Sequence, residues 1–183
     1  MRVPQFPTLR GMVVATALVC GLSVTSVFAK DPPSDLCSLL TPAQLVNILN
    51  QPFGPADKST APSPFRGIPS GMHCEYPAQK GAAVKVVFIA YADPSETLAK
   101  QTFDKLAMWY TPESKPAVGD AAYMDSKGAI HVLKGRVRYY IAIEPVGTSK
   151  VAPYVPWATP PGTNSPAKTK VLTDLASAVA AQL

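Results

Sequence analysis

The sequence predicts an α+β domain, an antiparallel sheet of about five strands packed by three helices. Two observations lead to that class. Capped helical segments flank two groups of strand-like segments, in the order α-β-β-α-β-β-β-α. The second group also contains Gly135-Arg136, which suits a two-residue hairpin turn and so joins neighbouring strands antiparallel.

The first helix starts at Thr41-Pro42, with Thr41 as cap, Pro42 at the first helical position and Gln44 completing a capping box. Leu45, Ile48 and Leu49 form its apolar stripe, and Asn50-Gln51-Pro52 ends it. Residues 52–71 read as a proline-rich loop (Pro52, Pro55, Pro62, Pro64, Pro69). Strands are expected over His73–Tyr76 and Ala82–Tyr91. The apolar run of the latter is broken only by Lys85, which implies cover on both faces.

Asp93-Pro94-Ser95-Glu96 opens the second helix, with Asp93 as the expected cap. Ala99, Thr102, Phe103, Leu106 and Tyr110 share its inner face, and Thr111-Pro112 stops it. A meander follows over Ala121–Asp125, Ala129–Lys134 and Val137–Glu144, with turns at Ser126–Gly128 and Gly135-Arg136. The latter turn sets Lys134 opposite Val137, Val132 opposite Tyr139 and Ile130 opposite Ile141. Ile130, Val132, Tyr139, Ile141 and Ile143 therefore face one side, and His131, Arg138 and Tyr140 the other. Residues 145–165 form a second proline-rich loop. The last helix begins at Pro166 behind Ser165, with Val171, Leu172, Leu175, Ala178 and Val179 as its stripe.

Residues 1–29 have the three-part pattern of a signal peptide: Arg2 and Arg10, an apolar run from Met12 to Val24, and a small-residue site ending at Ala29. The run is shorter than the ~20 residues of a spanning helix. We expect cleavage after Ala29 and a single exported domain over residues 30–183, with a retained N-terminal anchor or a lipid on Cys20 as less favoured readings. Cys37 and Cys74 remain, and an even pair in an oxidising compartment reads as a disulfide, with a thiol metal site as the weaker alternative. In the chain-entropy picture such a crosslink stabilises by roughly 4 kcal/mol. The formal charge of +5 is scattered rather than gathered in a stripe, which argues against a nucleic-acid binder. No segment after the leader is apolar enough to span a membrane.

Cys37-Ser38-Leu39-Leu40-Thr41-Pro42, then Cys74-Glu75-Tyr76, then Val118-Gly119-Asp120-Ala121-Ala122-Tyr123, resemble landmarks of a set of bacterial exported proteins and lipoproteins of unknown function. The resemblance covers roughly residues 35–144. It implies a Mog1/PsbP-like architecture and a Cys37–Cys74 disulfide, and it supplies no catalytic residues. This chain departs from the lipoprotein members in lacking a convincing lipidation site.

Candidate chemistry is sparse. Met72, His73 and Cys74 would suit a soft metal, but consecutive strand residues face opposite ways and an oxidised Cys74 offers no thiolate. His131, Arg138 and Tyr140 together would cradle an acidic or aromatic ligand if their face is open; if a helix covers it, they are structural. Tyr154 and Trp157 would anchor a partner or pin their own loop. Motifs for serine hydrolases, zinc proteases and phosphate loops are missing, and no cofactor is implied. The expected function is a non-enzymatic exported domain binding an envelope partner or small ligand. A periplasmic metal-binding protein comes second and a hydrolytic enzyme third.

Overall fold

The computed structural model describes residues 31–63, 65–146 and 164–183. The expected leader, residues 1–29, lies outside them. Three α-helices, α1 (Pro42–Leu49), α2 (Glu96–Tyr110) and α3 (Pro166–Ala180), pack on one antiparallel sheet. The sheet has seven strands rather than about five: β1 (Asp57–Ala61), β2 (Gly71–Tyr76), β3 (Val84–Ala92), β4 (Pro112–Ser114), β5 (Ala121–Asp125), β6 (Ile130–Lys134) and β7 (Val137–Pro145). Their spatial order is β1-β2-β3-β7-β6-β5-β4.

The two extra strands are its edges. β1 lies inside the segment read as loop, and β4 follows α2 directly. Four of the five β1 side chains and all three of β4 are exposed, so neither has an apolar alternation to betray it. Backbone hydrogen bonding to β2 and β5 holds them.

The helix caps follow from local chemistry. Thr41 and Gln44 form the reciprocal capping box, and Asn50 closes α1 in the left-handed region at φ 52°. Ser165 caps α3. At α2 the expectation is corrected: Ser95 is the cap, its side chain accepting from Leu98 N, while Asp93 is 2% exposed and pairs elsewhere.

The β6–β7 hairpin has the register read from its turn, with Ile130 opposite Ile141, His131 opposite Tyr140, and Lys134 opposite Val137. Asp120 secures that turn from the neighbouring strand end, accepting from Gly135 N at 2.7 Å and from Lys134 Nζ at 2.9 Å. Burial pushes the Asp120 carboxyl up, but these hydrogen bonds and the lysine charge outweigh it and leave its pKa lowered. Gly119 before it sits at φ 62°, and a Cβ there would come 2.5 Å from Leu133 O. The Gly-Asp step at residues 119–120 is thus a clamp on the hairpin.

One sheet face carries the main core. Phe88, Ile130, Val132, Tyr139, Ile141 and Ile143 meet α1, α3 and a 3-10 turn at Leu36–Leu39. Cys37 in that turn and Cys74 in β2 are disulfide-bonded, with Cα atoms 5.8 Å apart. The Tyr76 hydroxyl donates to the Cys37 and Leu40 carbonyls, and Gln182 Nε2 donates to Leu39 O at 2.7 Å. These bonds tie the turn to both β2 and the end of α3.

Ile141 has no exposed surface. Ile141→Ala is expected to cost about 2–5 kcal/mol in urea unfolding, as buried large-to-small changes do. A loss below ~1 kcal/mol would place this residue outside the core.

Candidate functional site

The other sheet face is divided. Ala99 and Phe103 of α2 pack on Tyr123 and Leu133, sealing the end over β5 and β6. Beyond that contact α2 leaves the sheet uncovered, and a groove of about 640 Å³ runs over β2, β3 and β7. His131, Arg138 and Tyr140 all line it, which answers the question the alternation left open: the face is part covered and part groove. Tyr154 and Trp157 lie outside the described residues.

Pairing lays out the floor in rows. Tyr91 stands beside Arg138, Ile89 beside Tyr140, Val87 beside Ala142, and Lys85 beside Glu144. From Arg138 to Glu144 this spans about 20 Å at strand rise. α2 forms one wall through Phe103, Leu106 and Tyr110. The β1–β2 connection reaches toward the same helix, with Phe65 in a tilted contact on Trp109 at 4.8 Å between centroids. The Tyr91 hydroxyl donates to the Pro62 carbonyl at 3.1 Å.

Arg138 is the most constrained group in the groove. It is 2% exposed and bonds Asp93 through Nε at 2.5 Å and Nη2 at 3.1 Å. The Tyr91 ring lies over the guanidinium, 4.8 Å from Cζ to the centroid. Nη1 is buried and has no hydrogen-bond partner among the described residues; the Tyr123 hydroxyl is in the same state. A buried donor of this kind costs about 1–3 kcal/mol.

His131 is held on every side. Its ring stacks on Tyr123 at 4.6 Å and contacts Tyr110 at 4.8 Å and Tyr140 at 5.0 Å. Nε2 lies 2.9 Å from Asp125 Oδ2, and Asp125 Oδ1 also accepts from Lys127 N and Ala129 N. Burial alone would push the Asp125 carboxyl up, but the His131 bond and those backbone donors bring its pKa below the ordinary value. An ionised Asp125 accepts from a protonated Nε2 and so orients the ring. Burial, and then the nearby carboxylates and Tyr110, push the Tyr140 phenol well up, so it remains a neutral hydroxyl.

The far end of the groove is charged. Lys85 Nζ lies 3.2 Å from Glu75 and 3.3 Å from Glu144. Hydrogen bonding to Glu75 and then Glu144 outweighs partial burial and raises the ammonium's pKa. Sequence reasoning marked Lys85 only as a break in an apolar run. The groups facing it come from β2 and β7, beyond the reach of a local pattern.

The alternative metal set is dispersed. His73 faces the groove, where Nδ1 lies 3.3 Å from Ser59 Oγ, whereas Met72 Sδ accepts from Leu36 N and Cys74 is in the disulfide. No group of three or more His, Cys, Asp or Glu side chains among the described residues could hold a metal ion. A hydrolytic reading has a paired Asp125 and His131, but Ser63, the serine lining the groove, bonds the backbone of Phe65 through its hydroxyl. No helix among the described residues is long and apolar enough to cross a membrane.

The fold and the groove define an α+β domain with one sheet face sealed and the other hollowed beside α2. No protein-family model matches the chain, and neither does a curated protein or a solved structure.

Two outcomes test the electrostatics. Arg138→Ala strands a buried Asp93 carboxylate and should cost about 3–5 kcal/mol in denaturant unfolding, far more than a surface arginine. Asp125 has a folded-state pKa below its ordinary 3.8. Its contribution to stability is complete above that unfolded value and is lost as pH falls through the folded one. Asp125→Asn should therefore flatten the acid limb of a stability–pH curve below about pH 4. An unchanged limb would show that Asp125 gains nothing from its partners.

Proposed function

We propose that this is an exported, non-enzymatic domain that binds a small ligand in the groove between α2 and the sheet. The observation that carries the reading is the groove itself. Its volume falls within the ~300–1,000 Å³ typical of small-molecule sites, and it combines apolar and aromatic walls with a few fixed polar groups. Export is supported by the leader-like pattern of residues 1–29 and by the Cys37–Cys74 disulfide, a bond that persists in oxidising compartments. The resemblance to exported bacterial proteins points the same way. A concave site favours a small ligand over a protein partner, whose interfaces need a broader surface.

A neutral solvatochromic dye tests this directly. Nile red should bind the purified protein saturably with a blue-shifted emission. Ile89→Trp, which fills the floor, should abolish that binding while leaving the unfolding midpoint close to wild type. Equal dye binding by the wild-type and Ile89→Trp proteins would remove the groove as the site.

A further inference from the structure

We propose that the groove's ligand is an apolar carboxylic acid, seated with its carboxylate at Arg138 and its apolar body along Ile89 and Val87. This rests on the groove being a ligand site and specifies what it takes.

The guanidinium geometry supplies the first argument. Arg138 meets Asp93 with one edge, Nε and Nη2, which leaves the Nη1 end without an acceptor. A guanidinium carries five N–H donors in a rigid fork, so the unused end presents parallel donors of the kind a carboxylate accepts in pairs. This end of the groove therefore calls for an acceptor oxygen from the ligand.

Polarity along the floor supplies the second. Next to Arg138 come Ile89 and Val87 on β3, with Phe103 and Leu106 above them on α2. This apolar stretch continues to Ala142, about 13 Å from Arg138 at strand rise. At the far end one lysine stands between two glutamates, an excess of negative charge that repels an acid group. Lys127, which lies over Tyr110, belongs to the β5–β6 turn toward the Ala142 end of the floor, and the groove's Asp125 is paired with His131. The unused donor at Arg138 thus marks the end that takes the acid group.

The Tyr91 ring lies over the guanidinium and forms the side of the groove at that end. It is half-buried and its hydroxyl is tied to the Pro62 carbonyl.

Competition for bound Nile red separates the parts of this proposal. At neutral pH, with both probes below their micellar concentration, decanoate should displace the dye roughly ten- to a hundred-fold more effectively than decanol, the range expected for a hydrogen bond to a charged group. Arg138→Lys retains a cation for Asp93 but removes the fork. It should lower decanoate affinity toward that of decanol while decanol binding stays unchanged. Should that variant unfold, the pair Asp93→Asn with Arg138→Gln removes both charges together and should give the same loss of preference. Equal displacement by decanoate and decanol in the wild-type protein would overturn the acid anchor and leave the groove standing. Failure of both probes to displace a dye that Ile89→Trp still excludes would overturn the whole ligand class while sparing the groove. Dye binding insensitive to Ile89→Trp would instead remove the underlying site.

Discussion

The ion pair between Asp93 and Arg138 fixes the relation between α2 and the sheet. Arg138 sits on β7, the central strand, and Asp93 stands three residues before the first turn of α2. Both side chains are almost wholly buried. Removing two charges from water is costly, and the pair need not add net stability over apolar residues of the same shape. Its effect is positional. Either charge left alone would be far more costly than the pair, so the start of α2 is held over β7. From there Ala99 and Phe103 land on Tyr123 and Leu133, and Tyr110 at the end of the helix reaches His131. The groove is the space that this anchoring leaves.

The sheet's two faces thus solve different problems. The face toward α1 and α3 is packed by Phe88, Ile130, Ile141 and their neighbours, and is stapled by the disulfide. The opposite face carries Asp93, Asp125, His131 and Arg138, all buried and polar. Asp93 and Asp125 are satisfied by named donors, whereas Nη1 of Arg138 is not. A domain able to seal one face fully can hold an imperfectly satisfied group on the other, since the core face carries the apolar burial.

Legibility from sequence followed the range of the interaction involved. The β6–β7 register was readable because a two-residue turn and a period of two leave one arrangement with apolar residues on a single face. The α1 and α3 caps were readable for the same local reason. Asp93 was misassigned because Asp-Pro-Ser-Glu satisfies a capping pattern at either Asp93 or Ser95; the choice was made by Arg138, 45 residues away. The edge strands were hidden because backbone pairing, with no buried side-chain pattern, defines them. At the site, alternation placed His131, Arg138 and Tyr140 on one face correctly. The rest of the groove, from Lys85 with its two glutamates to Tyr110 on α2, is assembled only by the strand order.

The surroundings of His131 and Arg138 differ in how firmly each group is held. A general base needs a lone pair directed at a substrate and freedom to change protonation during the reaction. Here Nε2 is committed to Asp125, and three tyrosine rings enclose the imidazole. The same carboxylate that holds the ring also accepts two backbone N–H groups of the β5–β6 turn. A ring that shares its anchor with a turn is part of the scaffold, and movement there would disturb the hairpin connection itself. Arg138 differs: its anchor, Asp93, occupies one edge and leaves the other end of the fork unengaged. The groove therefore has a wall built around an imidazole, and beside it a guanidinium whose second edge is unengaged among the described residues.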